Sequence, residues 1–389
     1  MRRCLTMMIA MLGHPALIPH HVAAQESEPA VRSVAFSPDG QWLAVARSND
    51  KLGDVTVWNL ATQKSVMSLP CKKGCQSVAF AGDGKSLAVP DGKIVKLLEV
   101  PSGRGLTEFA HPDEIRALDL SGDGKTLVTA CRDFKFRAWD VASGKEKFAL
   151  PVKDLPLQIS IHPDGGSFLM VDQQRVANID LETGKPRFTL DHGENANVFG
   201  VLFSADGRWI LTSDNHARVF VWDAKDGAKQ STFKAMAYHA MAYHPKFEFV
   251  ASSSGWYRHV SLLKIRLREP SVQERGQIAK LMEQLDDESL EIREKASEAL
   301  KELGLMIGPV LKKAAETSPS AEVRMRARWI QEQITDAKPM EFPHLPSKVE
   351  RLAFHPSRPW LACGCMNGSV YVWDLESKKE IARLPLEKK

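Results

Sequence analysis

Residues 111–140 read HPDEIRALDLSGDGKTLVTACRDFKFRAWD, and the rest of the chain can be reached from this stretch. Its centre, Ser121 to Gly124, is a turn: the Asp side chain bonds its own backbone, and the Gly takes the positive φ that a tight hairpin needs. Apolar runs flank it, IRALDL before and TLVTA after, and a third run, FRAWDV, ends at Val141. Such short strands cannot bury their faces alone and require neighbours of the same kind.

Moving outward, the turn recurs as SPDG from Ser37, AGDG from Ala81, HPDG from His162 and SADG from Ser204, with two degraded copies, HPKF from His244 and HPSR from His355. Counted at the third turn residue (Asp39, Asp83, Asp123, Asp164, Asp206, Lys246, Ser357), the steps are 44, 40, 41, 42, 40 and 111. A four-strand unit repeated at this period is solved by radial stacking. Six copies keep step and the seventh is late.

Third strands end in Trp139-Asp140, Trp222-Asp223 and Trp373-Asp374, with the variant Trp58-Asn59; copies two, four and six carry Leu98-Glu99, Ile179-Asp180 and Leu263-Lys264 instead. These units resemble WD40 repeats. The resemblance implies a mainly β fold, a seven-bladed propeller, in which a His ahead of the first strand bonds a Ser or Thr, an Asp of the turn between the second and third strands, and the Trp. His111, Thr129, Asp133 and Trp139 match that set, and His192 and His344 stand at the corresponding place in later copies. All of these residues, with Trp222, Asp223, Trp373 and Asp374, are expected to be structural.

The same resemblance implies that one face, built from the loops between strands b and c and between d and a, docks peptides or proteins. On it the expected partner-binding residues are Arg132 and Phe134, Asp214 and His216, and Trp256, Tyr257 and Arg258. Aromatic and Arg side chains in loops are the usual anchors. The competing reading has Phe134 and Trp256 folded back on neighbouring blades.

The late seventh copy leaves roughly 70 residues in which the period changes from strand to helix. Ile278, Leu281, Met282 and Leu285 form one apolar stripe, Ile292, Ala296, Ala299, Leu300 and Leu303 a second, and Val323, Ala327, Ile330 and Ile334 another. Ser271 with Glu274 fits a capping box, Gly304 a C-cap, and Pro309 and Pro319 first helical positions. Four helices are expected, the third around Val310 to Glu316, and they resemble HEAT-like repeats, an arrangement similar to that of some bacterial WD-repeat proteins. Their charged residues are expected on a solvated face, and Trp329 in the core. KPMEFPH from Lys338 mirrors KPRFTLDH from Lys185, so the outer strand of blade six is expected after the insert. The organisation is then 1–24 signal peptide, 31–267 most of blades one to six, 268–337 helical insert and 338–389 the end of blade six with blade seven.

The signal assignment rests on Arg2-Arg3, the apolar run CLTMMIAMLG and Val22-Ala23-Ala24 before Gln25. The apolar run is too short to span a bilayer, so no stable membrane span is expected after cleavage. Export to the periplasm or beyond is the expectation, with a cytoplasmic protein as the alternative. Five cysteines remain after cleavage; Cys71 and Cys75 are placed to pair in an oxidising compartment, while Cys131, Cys363 and Cys365 read as core residues.

A formal net charge of +4 gives no pull toward nucleic acid, and none is expected as a partner. Catalytic and phosphate-binding motifs are missing from the sequence, the cysteines lack paired metal-ligand spacing, and no cofactor or metal is expected. His162, His244 and His355 share one turn position but fall in three different copies. The expected function is a non-enzymatic protein-interaction scaffold, with the insert as a second surface. The alternative is an enzyme or small-molecule-binding propeller that uses the central channel, favoured if that channel holds convergent polar groups with shifted pKa values.

Overall fold

The computed structural model describes residues 28–49, 53–71, 75–154, 158–172, 175–234, 240–244, 246, 248–253, 258, 260–265, 270–335, 340–342 and 344–385. The expected signal segment and the candidates Trp256 and Tyr257 lie outside these residues. The strands form seven four-stranded antiparallel sheets, each in simple sequential order. Their inner strands are Ala30–Phe36, Ala79–Phe80, Ile115–Leu120, Ile159–Ile161, Val198–Phe203, Ala240–His244 and Val349–Phe354. The middle strands are almost wholly buried, as in Trp42–Ser48, because each packs against blades on both sides. The outer strands alternate, as in Gly105–Ala110, because one face meets water.

Among the described residues each sheet uses only its own four consecutive strands, and none is donated between the first and last blades. The ring is closed by packing: Val31, Leu43, Val45 and Trp58 of blade one share a core with Ala362, Val370, Val372 and Leu384 of blade seven. The fit leaves no slack. A Cβ on Gly364 would stand 2.4 Å from the Val31 side chain.

The turn histidines stitch neighbouring blades. His162 Nε2 lies 2.8 Å from the carbonyl of Gly207, His355 Nε2 3.2 Å from that of Gly40, and His244 Nε2 3.1 Å from that of Arg358. In each pair the His opens one blade's turn and the carbonyl closes the next blade's turn. His355 Nδ1 accepts from the backbone N–H of Ser357 and Arg358, so its Nε2 carries the proton and donates. Turns that open with Ser cap themselves instead: Ser37, Ser121 and Ser204 each donate to the turn Asp two residues on.

The late seventh copy has a topological cause. Strand Ser261–Lys264 pairs with Met340–Glu341, Ser261 opposite Glu341 and Leu262 opposite Met340, so the sixth blade is split between its third and fourth strands. Between them lie α1 (Val272–Gln284), α2 (Leu290–Glu302), α3 (Gly308–Thr317) and α4 (Ala321–Thr335). Ser271 and Glu274 cap α1 reciprocally, Gly304 with φ +65 ends α2, and Pro309 opens α3. Pro319 falls one residue short of opening α4; Ser320 holds the cap position, accepting from the N–H of Val323.

Ile278, Leu285, Ala296, Leu300, Leu311, Ala327 and Ile330 fill the insert's core. Trp329, expected there, is 41% exposed with the Lys301 ammonium above its ring. Several of the charged residues are not simply solvated: Arg326 bonds Ser297, and Arg328 the carbonyl of Ala315. Arg293 bonds the carbonyls of Asp287 and Glu288, and Arg324 those of Ser318 and Pro319, the same clamp at the entry of α2 and of α4. Leu305 carries the insert onto the core of blades five and six beside Trp209, Phe233, Leu263 and Ile265.

Candidate functional site

His111 and His192 sit buried ahead of their inner strands. His111 Nε2 lies 2.8 Å from Thr129 Oγ1, which also accepts from Trp139 Nε1 at 3.0 Å. Blade five repeats this with His192, Thr212 and Trp222 at 2.7 and 2.9 Å. Burial pulls both imidazoles down to about 4. They are therefore neutral at physiological pH and serve as structural hydrogen-bonding groups.

The expected fourth member behaves differently. Asp133 is taken by the guanidinium of Arg137, at 2.5 and 3.0 Å, rather than by His111, whose Nδ1 faces the carbonyl of Phe109. An Arg four residues after Asp133 outcompetes a neutral imidazole because the bond is charge-assisted and bidentate. His344 is exposed and holds no such place in blade seven. Asp374, expected to be structural, accepts from Trp360 Nε1 and from Ser377. Asp223 similarly accepts the N–H of Lys225 in its own turn.

On the loop face Arg132 is half exposed, 3.4 Å from Glu114. Phe134 is 43% exposed, and its φ of +60 is a left-handed backbone in which a bulky side chain is uncommon. The equivalent residue in blade seven is Gly368 and in blade five Ala217, both also left-handed. Phe134 does not fold back into a core. His216 is half exposed beside Asp214, and Arg258 is exposed. Asp214 must be removed from the expected contact set: it is fully buried, gripped by the Arg218 guanidinium and by the backbone N–H groups of His216 and Arg218. It shapes the loop that presents His216.

The central channel holds residues that the sequence reading did not single out. A cavity of about 430 Å³ is lined from all seven blades, among others by Arg32, Gln76, Arg116, Gln158, Phe199 and Arg351. In four blades the ladder between the first and second strands skips one residue at the same place: Arg32, Arg116, Phe199 and Glu350. Each is a bulge, which re-aims a side chain that regular pleating would send elsewhere. The cue in sequence is a charged or aromatic residue second in an otherwise apolar run, as in VRSVAF, IRALDL, VFGVLF and VERLAF.

Glu350 stands 3.9 Å from Arg32, and Arg351 donates to the carbonyl of Glu350. The Arg116 side chain makes no hydrogen bond or salt bridge among the described residues. Burial first, then mutual repulsion among the arginines, lowers the pKa of Arg116 and of Arg351 below the usual guanidinium range.

A second concavity lies between the insert and blade five. About 910 Å³ in volume, it is lined by apolar groups such as Trp209, Ile278, Met282, Pro309 and Val310, with Arg275 and Lys313 at its edge. Cys71 and Cys75 are joined in a disulfide between blades one and two, and Cys131, Cys363 and Cys365 are buried. Among the described residues no group of three or more His, Cys, Asp or Glu side chains is arranged to hold a metal, and no helix is long and apolar enough to cross a membrane.

Comparison with known proteins matches residues 18–59, 103–140, 184–223 and 340–374 to the WD domain, G-beta repeat. Periodic tryptophan protein 2 of Arabidopsis thaliana is 24% identical over 242 residues, 59% of this chain and 26% of that protein. Set1 complex component swd2 of Schizosaccharomyces pombe is 26% identical over 214 residues, 51% of this chain and 58% of that protein. The chain thus spans only part of the length of the curated relatives it matches. The Cps50 (Swd1) β-propeller domain of Myceliophteria thermophila superposes with a TM-score of 0.62 at 16% identity, covering 89% of this chain and 96% of that one. Four segments of the chain therefore match the WD repeat, and the fold is a seven-bladed β-propeller whose sixth blade is split by a four-helix insert.

Proposed function

We propose that the protein is a non-catalytic scaffold that holds protein partners on its loop face. The observation that carries this reading is Phe134: an exposed aromatic residue held in a left-handed conformation that glycine would occupy without strain. Arg132 beside it, and His216 and Arg258 on loops of blades five and six, are polar side chains of the kind that occur at interfaces. Swd2, a relative over about half of this chain, is by its name a component of a complex. The weak net charge favours protein over nucleic acid as the partner.

The insert is proposed as a second docking surface, supported by the apolar concavity between α1, α3 and blade five. Export is proposed on the N-terminal sequence pattern, and the Cys71–Cys75 disulfide suits an oxidising compartment. The test is quantitative co-purification from cell envelopes with the full chain and with Arg132→Glu/Phe134→Ser and Val310→Glu variants. The first variant is expected to lose one partner set and the second a different set. An unchanged partner list for Arg132→Glu/Phe134→Ser, with both proteins folded, overturns the loop-face reading.

A further inference from the structure

We propose that the central channel is a binding site for a small polyanion, bearing phosphate or carboxylate groups, gripped by Arg32, Arg116 and Arg351. Three guanidinium groups from three blades line one cavity whose described lining holds no carboxylate; Glu350 lies 3.9 Å from Arg32, and Glu114 acts electrostatically on Arg116. Arg32 and Arg116 arrive there through bulges at matching positions, and a bulge gives up regular ladder bonding to aim its side chain.

A purely structural role does not account for Arg116. Its side chain has no hydrogen-bonding or salt-bridge partner among the described residues, it is partly removed from water, and repulsion from Arg132 and Arg32 outweighs the attraction of Glu114. Like charges brought together in a confined space destabilise one another, and an anion between them reverses the sign of that interaction. The cavity volume of about 430 Å³ falls within the range of small-molecule sites rather than of protein interfaces. Gln76 and Gln158 line the same space, but Gln76 donates to Ser48 and Gln158 accepts from the N–H of Val201, so these bonds brace the wall. The ligand's charge is met by the arginines.

The experiment is isothermal titration calorimetry of the full chain at low ionic strength in a phosphate-free buffer, with pyrophosphate and with citrate as separate probes. At least one should bind with 1:1 stoichiometry, and the tighter of the two identifies phosphate or carboxylate as the preferred chemistry. Arg116→Gln should weaken that binding by about tenfold or more, and Glu350→Gln, which removes the competing carboxylate, should strengthen it. Phe134→Ser on the loop face should leave it unchanged, which separates this site from the scaffold surface. Unfolding midpoints verify that each variant is folded. No saturable binding of either probe, or binding that survives Arg116→Gln undiminished, overturns the proposal.

Discussion

Arg47 of blade one donates from Nε to the carbonyl of Gly368 in blade seven at 2.6 Å, across the junction between the first and last blades. Its Nη2 reaches the carbonyl of Pro385 and its Nη1 meets Asp54 and Thr56. The side chain is fully buried, so its charge has no solvent to fall back on. It acts as a latch between the first and last blades.

Arg47→Met is accordingly expected to cost about 3–5 kcal/mol, the usual range when one member of a buried charged cluster is removed. Urea unfolding followed by tryptophan fluorescence measures this. A loss below about 1 kcal/mol would mean that packing of Val31 against Gly364 closes the ring unaided.

Acid should destabilise the propeller well above the pKa of ordinary carboxylates. Burial lowers His111 and His192 to about 4 in the folded protein from the 6.5 of a free imidazole, so between these values the unfolded state binds more protons and stability rises with pH. Their contribution is complete above pH 6.5 and is lost as pH falls toward 4, up to about 3 kcal/mol for each residue. Asp119 opposes them: burial raises its carboxyl to about 6, so its folded form binds the extra proton between 3.8 and 6. With four buried histidines lowered, His244 and His355 as well as His111 and His192, against Asp119, the midpoint of thermal unfolding should fall between pH 6.5 and 4. His111→Gln/His192→Gln should flatten that slope, and an unaltered slope would assign it elsewhere.

Much of this architecture was readable from turn spacing, because each Asp-Gly turn must recur at the same place for blades to stack. The 111-residue step betrayed the insert, and the match between Lys338–His344 and Lys185–His192 pointed to the strand now seen opposite Ser261–Lys264. What escaped the sequence were relations between blades. Nothing in copy three says that Asp133 will prefer Arg137 to His111, since the choice depends on geometry across a hairpin. Asp214 looked like a loop contact for the same reason, although Arg218 lies four residues away and buries it. The bulges at Arg32, Arg116, Phe199 and Glu350 were hidden because strand alternation assumes a regular pleat.

Blade seven lacks a hydrogen-bonding partner that blades three and five possess. Cys363 occupies the place of Thr129 and Thr212 in the ladder, and Trp373 Nε1 is buried without an acceptor among the described residues. Cys363→Thr should supply one and stabilise the protein by about 1 kcal/mol, whereas Thr129→Val, which strands Trp139 Nε1 and His111 together, should cost about 1–3 kcal/mol. Denaturant midpoints for the two variants should move in opposite directions. Movement of both toward lower stability would mean that the blade-seven site cannot accept the added methyl.

The Cys71–Cys75 bond encloses a very short loop, with a sequence separation of 4, so its restriction of the unfolded chain is modest. Loop-closure entropy puts the loss on Cys71→Ser/Cys75→Ser at about 2 kcal/mol. Both residues are nearly inaccessible and join a core with Val55, Val78 and Val89, so dithiothreitol alone should act slowly on the folded protein. Thiol labelling with and without denaturant tests this, and rapid labelling of both cysteines under native conditions would contradict it.

Phe134 brings stability and function into opposition. A left-handed φ costs a bulky residue roughly 1 kcal/mol that glycine does not incur, and Gly368 shows the relaxed solution at the same turn of blade seven. Phe134→Gly should therefore unfold at equal or slightly higher denaturant concentration than the native protein, although it removes an aromatic side chain. If the ring is a partner anchor, the same variant should bind its partner at least tenfold more weakly. A residue retained only for the fold would show the reverse pattern, with stability lost and binding intact. Measuring the denaturant midpoint and partner affinity on one preparation distinguishes the two, because strain relief and loss of an anchor push the two readings in opposite directions.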